Sequence, residues 1–378
     1  MKFQTQGIKY AGSKKRLIPQ ILSLVESTGA HRVWDAFSGT TRVSQALAHA
    51  GFQVCASDVS DWSEVFGTCW LLNERQPLEY APLIEHLNHV PPTDGWFAAN
   101  YGGEPTAEAS SDSSSDSDSG AKDAGPRLKK PFQLRNMRKL DGIRTEIDRL
   151  NLEPVPRAVA LTSLMLALDR VDSTLGHFSS YLRNWSKRSY GDLMLTLPNL
   201  WVNSEANAVF RGDVFSLTPN VRADLAYFDP PYGSNNEKMP PSRVRYAAYY
   251  HFWTTLIRND QPTLFGKAFR RTDSSDLHSA SVFEEFRRNP QTGRFRAVEA
   301  IQRLLQETNV RWILLSYSSG GRATAEELLE TVRSVGKLRN LLKIDYQKNV
   351  MADMKWTNEW LRSEETPNQE FLFLIEKF

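Results

Sequence analysis

The chain has 378 residues, 40% of them hydrophobic and 24% charged, with a formal net charge of +2, long enough to bury a sizeable core in one large domain plus a lobe, or in two domains. A mean hydropathy of −0.46, no apolar run of bilayer length, and a polar start at Gln4, Thr5 and Gln6 exclude a helical membrane protein and a signal peptide. The two cysteines, Cys55 and Cys69, fit neither a disulfide framework nor a zinc site, so a cytoplasmic, metal-free protein with buried thiols is expected.

The first informative segment is Lys9-Tyr10-Ala11-Gly12-Ser13-Lys14-Lys15-Arg16-Leu17, which taken alone is an exposed basic helix start. Val33–Phe37 then reads as a strand, Ser38-Gly39-Thr40-Thr41 as a small-residue turn, and Val43, Leu47 and Ala50 as a helical stripe. A second strand, Phe52–Ser57, ends in Asp58. Strand, small-residue turn, helix, strand and acid is the layout of a nucleotide-type pocket: small residues let the backbone approach the ligand and the carboxylate accepts from ribose hydroxyls.

Helical patterns follow over Asp61–Asn73 and Leu83–His89. The Ser/Asp-rich tract Gly102–Pro126 has too little apolar surface to fold, and is read as a disordered insertion. Beyond it, 131–150 predicts a basic amphipathic helix with Met137, Leu140, Ile143, Ile147 and Leu150 on one side, and 157–171 a core helix. The segment Tyr181–Tyr190 interleaves Arg183, Asn184, Trp185, Lys187 and Arg188; it reads equally as an exposed basic loop or as a nucleic-acid contact in which cations pair phosphates and aromatics stack on bases. Further strands are expected near 208–210, 224–228, 312–316, 343–346 and 371–375, and helices near 246–258, 297–308 and 323–336. This alternation predicts a doubly wound α/β sheet.

Leu225-Ala226-Tyr227-Phe228 leads into Asp229-Pro230-Pro231-Tyr232. Two prolines cannot continue a strand ladder, so the chain must leave the sheet there and present Asp229 and Tyr232 at its carboxyl edge, where open α/β sheets bind ligands.

In this order the three segments resemble the Dam-like N6-adenine DNA methyltransferases, with their K-W-A-G-G-K, F-x-G-x-G and D-P-P-Y motifs. Here the motifs stand as K-Y-A-G-S-K from Lys9 to Lys14, F-S-G-T-T from Phe37 to Thr41, and D-P-P-Y from Asp229 to Tyr232. Tyr10 replaces a Trp and Thr41 a Gly, which reduces backbone freedom beside the cofactor. The resemblance covers nearly the whole chain outside the inserted tract. It implies a Rossmann-like methyltransferase sheet built from 1–60 and 207–378, with 61–206 as an inserted, mainly helical target-recognition lobe. No second, nuclease domain is expected.

The resemblance also implies S-adenosylmethionine as cofactor, with Tyr10 and Lys14 lining its site, Phe37, Ser38, Gly39 and Thr40 around the methionine moiety, Asp58 on the ribose, and Asp213 and Asp229 completing the pocket. Asp229, Pro230, Pro231 and Tyr232 are the catalytic expectation. The lone pair of the adenine amino group is delocalised into the ring, and the Asp229 carboxylate and Pro230 carbonyl can accept its hydrogens and aim it at the methyl donor. Tyr232 is the stacking face for a flipped base. Double-stranded DNA is the expected partner, contacted by the 183–188 residues above and by Arg135, Arg138, Lys139, Arg243 and Arg245. A monomer with a possible cognate restriction endonuclease is expected. The rival readings are an RNA or other nucleobase amino-methyltransferase and a catalytically silent DNA-binding protein.

Overall fold

A computed structural model of the chain describes residues 4–104, 130–182, 184–233, 246–275, 281–285, 287–345 and 369–378. In chain order the first half contains α1 (Ile18–Glu26), β1 (Arg32–Asp35), α2 (Arg42–His49), β2 (Gln53–Asp58), α3 (Asp61–Leu71), α4 (Ala81–His89), α5 (Trp96–Tyr101), β3 (Gly102–Gly103), β4 (Phe132–Gln133), α6 (Leu134–Arg149) and α7 (Pro154–Val171). The second half contains β5 (Ala208–Arg211), α8 (Val214–Leu217), β6 (Leu225–Phe228), α9 (Tyr246–Tyr249), α10 (His251–Arg258), β7 (Leu264–Phe265), β8 (Arg270–Arg271), α11 (Arg296–Glu307), β9 (Trp312–Ser318), α12 (Ala325–Val335), β10 (Gly336–Asp345) and β11 (Gln369–Lys377).

A seven-stranded sheet runs in the order β10-β11-β9-β6-β1-β2-β5. Neighbours are parallel from β9 through β6, β1 and β2 to β5, whereas β11 is antiparallel to both β9 and β10. Period-2 alternation sends side chains to two buried faces. Val33, Leu225, Tyr227, Leu314, Leu372 and Leu374 pack with residues of α1 and α2. Trp34, Ala226, Phe228, Ile313, Leu315 and Phe373 pack with residues of α11 and α12. The result is a mixed α/β fold with a mostly parallel sheet, consistent with a Rossmann-like methyltransferase. The chain leaves β1 toward β2 and β5 on one side and continues from β6 toward β9 on the other, so the carboxyl ends of β1 and β6 flank the crevice where such sheets take ligands.

A third cluster joins α3, α4, α5, α6, α7 and α10 through residues such as Trp62, Phe66, Leu87, Phe97, Leu140, Ile143, Leu164, Phe252 and Leu256. Within the basic stretch of α6, Arg144 is fully buried: its Nε and Nη2 donate to the carbonyls of Leu256 and Ile257 at 2.7 and 2.9 Å, satisfying the carboxyl end of α10. That cation belongs to the core and not to a cationic surface.

Several boundaries differ from the sequence reading. The first strand ends at Asp35, because Ala36 and Phe37 already turn into the crevice. The helix expected over 246–258 breaks at Tyr250, whose φ of −116° and ψ of 18° are not helical. Gly102 and Gly103, assigned to the Ser/Asp tract, instead pair in parallel with Phe132 and Gln133, and a Cβ on Gly102 would lie 2.6 Å from the Ala98 carbonyl oxygen. Residues 105–129 lie outside the described residues. The edge strand β10, antiparallel to β11, begins at Gly336, well before Lys343; its largely exposed, cationic sequence Lys337-Leu338-Arg339 is that of a charged sheet edge. Cys69 is buried, but Cys55 is only partly so. Among the described residues, no helix is long and apolar enough to cross a membrane.

Candidate active site

The crevice opens into a cavity of about 680 Å³. Its lining brings together Tyr10 and Lys14 from the N-terminal segment, Phe37 after β1, Asp58 at the end of β2, Asp213 after β5, and Asp229 to Tyr232 after β6. Residues separated by more than two hundred positions thus meet because parallel strands deliver all their carboxyl ends to one edge.

The turn after β1 is fixed by Asp58. Its Oδ2 accepts from the Gly39 N–H at 2.9 Å, and its Oδ1 accepts from the Ser60 N–H and hydroxyl at 2.9 and 2.7 Å. Burial raises the Asp58 pKa while the Ser60 and Gly39 donors pull it back. Gly39 has φ +49°, and a Cβ there would lie 3.2 Å from the Tyr10 ring, so a side chain here would strain the backbone and press on that ring. Ser38 and Thr40 are buried beneath the turn, the Ser38 hydroxyl 2.7 Å from that of Ser63. Thr41, at φ 56° and fully buried, takes the left-handed conformation that explains the glycine usual there; a β-branched residue holds it at a cost of about 1–3 kcal/mol. Its hydroxyl accepts from Gln45 Nε2 at 3.1 Å.

Tyr10 stacks on Tyr250 with ring centroids 4.7 Å apart, and the Tyr250 hydroxyl accepts from the Ala11 N–H at 2.7 Å. Phe37 meets Phe283 edge-on at 5.3 Å. Asp213 is exposed and caps α8 through the Phe215 N–H at 3.0 Å.

At the end of β6, the Lys14 ammonium, only 4% exposed, sits 3.0 Å from Asp229 Oδ1 and 3.9 Å from Glu370 Oε1. It also lies 4.8 Å from the centroid of the Tyr232 ring. The Tyr232 hydroxyl donates to Asp229 Oδ1 and stands 3.5 Å from Glu370 Oε2. Burial raises the pKa of Asp229, opposed by Lys14 and by the Tyr232 hydroxyl. Pro230 is buried and Pro231 half-buried. The corner is rich in hydrogen-bond acceptors, and Lys14 supplies its positive charge.

The family model for D12 class N6 adenine-specific DNA methyltransferases matches residues 10–310. The chain belongs to this family. It is 28% identical over 363 residues to the modification methylase StsI of Streptococcus sanguinis, covering 90% of this chain and 48% of that protein. It is 25% identical to the type II methyltransferase M.FokI of Planomicrobium okeanokoites, covering 98% of this chain and 53% of the relative. The chain thus spans about half the length of these two relatives. With the type II methyltransferase M.NlaIII of Neisseria lactamica it is 23% identical over 98% of this chain and 99% of the other.

In this D12 chain none of the described residues singled out for DNA lines the cavity. Asn184 and Lys187 are exposed, and Trp185 is half-buried. Arg188 is engaged by Asp172, its Nε donating to Oδ1 at 2.8 Å and its Nη2 to the Thr174 carbonyl at 2.6 Å. Arg135 pairs with Asp192 at 3.1 Å and Arg138 with Asp94 at 2.6 Å, exposed pairs of little stabilising weight. Lys139 donates to the Asn88 carbonyl at 2.7 Å, at the carboxyl end of α4. Arg183, Arg243 and Arg245 lie outside the described residues.

Sequence reasoning missed Glu370, Tyr246, Tyr250 and Phe283, as well as a charged rim in which Arg258 reaches Asp61 at 3.0 Å and Arg271 reaches Asp273 at 2.8 Å. For Glu370 a signal existed: it shares the alternation of Leu372 and Leu374 and so places a carboxylate on a buried sheet face.

Proposed function

We propose that this chain methylates the N6 amino group of adenine in duplex DNA, with S-adenosylmethionine as donor. The observation that carries this reading is the meeting of Asp229-Pro230-Pro231-Tyr232 and Lys14 with Asp58 and Tyr10 in one cavity, in a chain of the D12 class. A cavity of about 680 Å³ is ample for a cofactor and leaves a mouth for a base. The residues fit this cofactor. Glycine at position 39 keeps the turn free of a side chain, the aromatic rings of Tyr10 and Phe37 offer stacking faces, and Asp58 has three acceptor positions used by donors out of the roughly four a carboxylate offers, leaving one for a ribose hydroxyl. When bound, the cofactor supplies an electrophilic methyl group.

The protein's own contribution is orientation. Asp229 and the Pro230 carbonyl accept the two amino hydrogens, which turns the nitrogen lone pair out of the adenine ring. Lys14 and the Tyr232 hydroxyl both engage Oδ1 of Asp229, which leaves Oδ2 for the amine. Adenine within a duplex cannot reach the corner, so the base flips, with Tyr232 as its stacking face. The helical region within 61–206 serves as the target-recognition lobe, with Asn184, Trp185 and Lys187 at the DNA and Arg135 and Arg138 on phosphates. By analogy with modification methylases, the enzyme is the protective arm of a restriction–modification pair. Labelled methyl transfer to duplex DNA, RNA and free protein, followed by nucleoside mass spectrometry, tests the reading. N6-methyladenine in duplex DNA alone is expected; label only in RNA or in no acceptor refutes it.

A further inference from the structure

The Tyr232 hydroxyl stands between two carboxylates, donating to Asp229 Oδ1 and lying 3.5 Å from Glu370 Oε2. Lys14 spans the same pair, at 3.0 Å from Asp229 and 3.9 Å from Glu370. The Glu370 side chain is 11% exposed, and its ladder partners, Ser318 on β9 and Ile344 on β10, bring no charge. The titratable groups that face it are Lys14, Asp229 and Tyr232, with Tyr227 and Tyr246 further off. With both carboxylates ionised, the cluster carries one cation against two anions in a desolvated place. Such a cluster favours taking up one proton. Burial and the Asp229 charge accordingly raise Glu370 to about 7 against the pull of Lys14.

We propose that Glu370 is the terminal acceptor of the proton lost by the methylated amine, reached from Asp229 through the Tyr232 hydroxyl. This rests on the function proposed above. When an amine takes up a methyl group, the N–C bond forms from the nitrogen lone pair, the donor keeps the electrons of the bond it gives up, and one N–H proton must leave. Asp229, bonded to that hydrogen, takes it first. Protonated Asp229 no longer needs the phenolic hydrogen, so the Tyr232 hydroxyl turns toward Glu370 and closes the 3.5 Å contact. The Asp229 carboxyl then passes its proton to the Tyr232 oxygen as the phenolic hydrogen moves to Glu370, and Tyr232 ends neutral as it began. Asp229 is again an anion paired with Lys14, and the cluster is electroneutral. Glu370 touches no substrate in this scheme; it is a positioning residue that acts through Tyr232.

The test compares wild type with Glu370→Gln, which keeps the side chain's size and hydrogen bonding but takes up no proton. Single-turnover transfer from labelled cofactor to duplex DNA is followed from pH 5.5 to 9. The wild-type rate is expected to rise through an inflection near 7, the value to which Glu370 is raised. In Glu370→Gln the inflection disappears and transfer at pH 8 slows about tenfold or more, with cofactor affinity and unfolding midpoint retained. Tyr232→Phe keeps the ring, breaks the relay and loses the same inflection. In the cofactor-free protein, an infrared band of a protonated carboxyl should titrate near neutrality and vanish in Glu370→Gln. Normal methylation with an unaltered Glu370→Gln profile, or an unchanged band, overturns the relay alone. Absence of N6-methyladenine from the wild-type product overturns the function, and the relay with it.

Discussion

Replacing Asp229 with Ala separates two roles of one carboxylate. As an acceptor from the reacting amine its loss should cost about 10²–10³ in rate, the scale for deleting one preorganised polar contact to a transition state. As a buried ion it also balances Lys14, and removing one partner of a buried pair ordinarily costs 3–5 kcal/mol. Here the penalty is reduced, because the ammonium stands 3.0 Å from Asp229 and 3.9 Å from Glu370. At an effective dielectric of about 20 these separations correspond to gross attractions of about 5–6 and about 4 kcal/mol. Lys14 therefore keeps most of its compensation by turning to Glu370, and Asp229→Ala should lose only about 1–2 kcal/mol of stability. The double variant Asp229→Ala, Glu370→Gln strands the ammonium and should lose the full 3–5 kcal/mol. Urea unfolding of the two proteins, beside single-turnover methyl transfer, measures both roles. Retention of more than a few per cent of activity by Asp229→Ala refutes the acceptor role. A single-variant loss as large as that of the double variant refutes the exchange of partners.

Asp58→Ala should weaken cofactor binding by about 1.5–3 kcal/mol, the worth of a charged hydrogen bond; unchanged affinity by calorimetry would remove it from the site. Asp35 is fully buried, accepts from the Ser44 hydroxyl at 2.5 Å, and is raised from 3.8 to about 7 by burial. The folded protein therefore holds this proton more tightly than the unfolded chain, and stability falls as pH rises from about 4 to 7. Asp35→Asn should flatten that fall, by on the order of 2–4 kcal/mol at pH 8; equal urea-midpoint losses in both proteins would exclude it. Deleting 105–126 with a short Gly-Ser joint, while keeping paired Gly102 and Gly103, should leave methylation and the salt dependence of DNA binding unchanged, since loop closure depends weakly on length. A clear rise in non-specific affinity would instead show the acidic tract competing with phosphate.

Much of the site was legible because it is local in sequence. Leu225–Phe228 is apolar at every position and β-prone, and two prolines stop it, so the strand and the exit of Asp229 follow from backbone chemistry alone. The same holds for the turn at Gly39 and the acid at Asp58. Met137, Leu140, Ile143 and Ile147 recur at helical spacing and are all buried, as periodicity requires. What the sequence could not determine is which distant groups share a charge. Lys14 reads as a solvated lysine until the N-terminal segment is laid against β6; there it is buried between Asp229 and Glu370. Arg144 reads as one more surface cation of a basic helix, yet it ties off α10 through the carbonyls of Leu256 and Ile257. Glu370 carries no motif, and its approach to within 3.5 Å of the Tyr232 hydroxyl exists only because β11 inserts antiparallel beside β9. Strand propensity, turns and helical periodicity are set by covalent neighbours, whereas desolvation and ion pairing depend on through-space distance, which only the assembled sheet fixes.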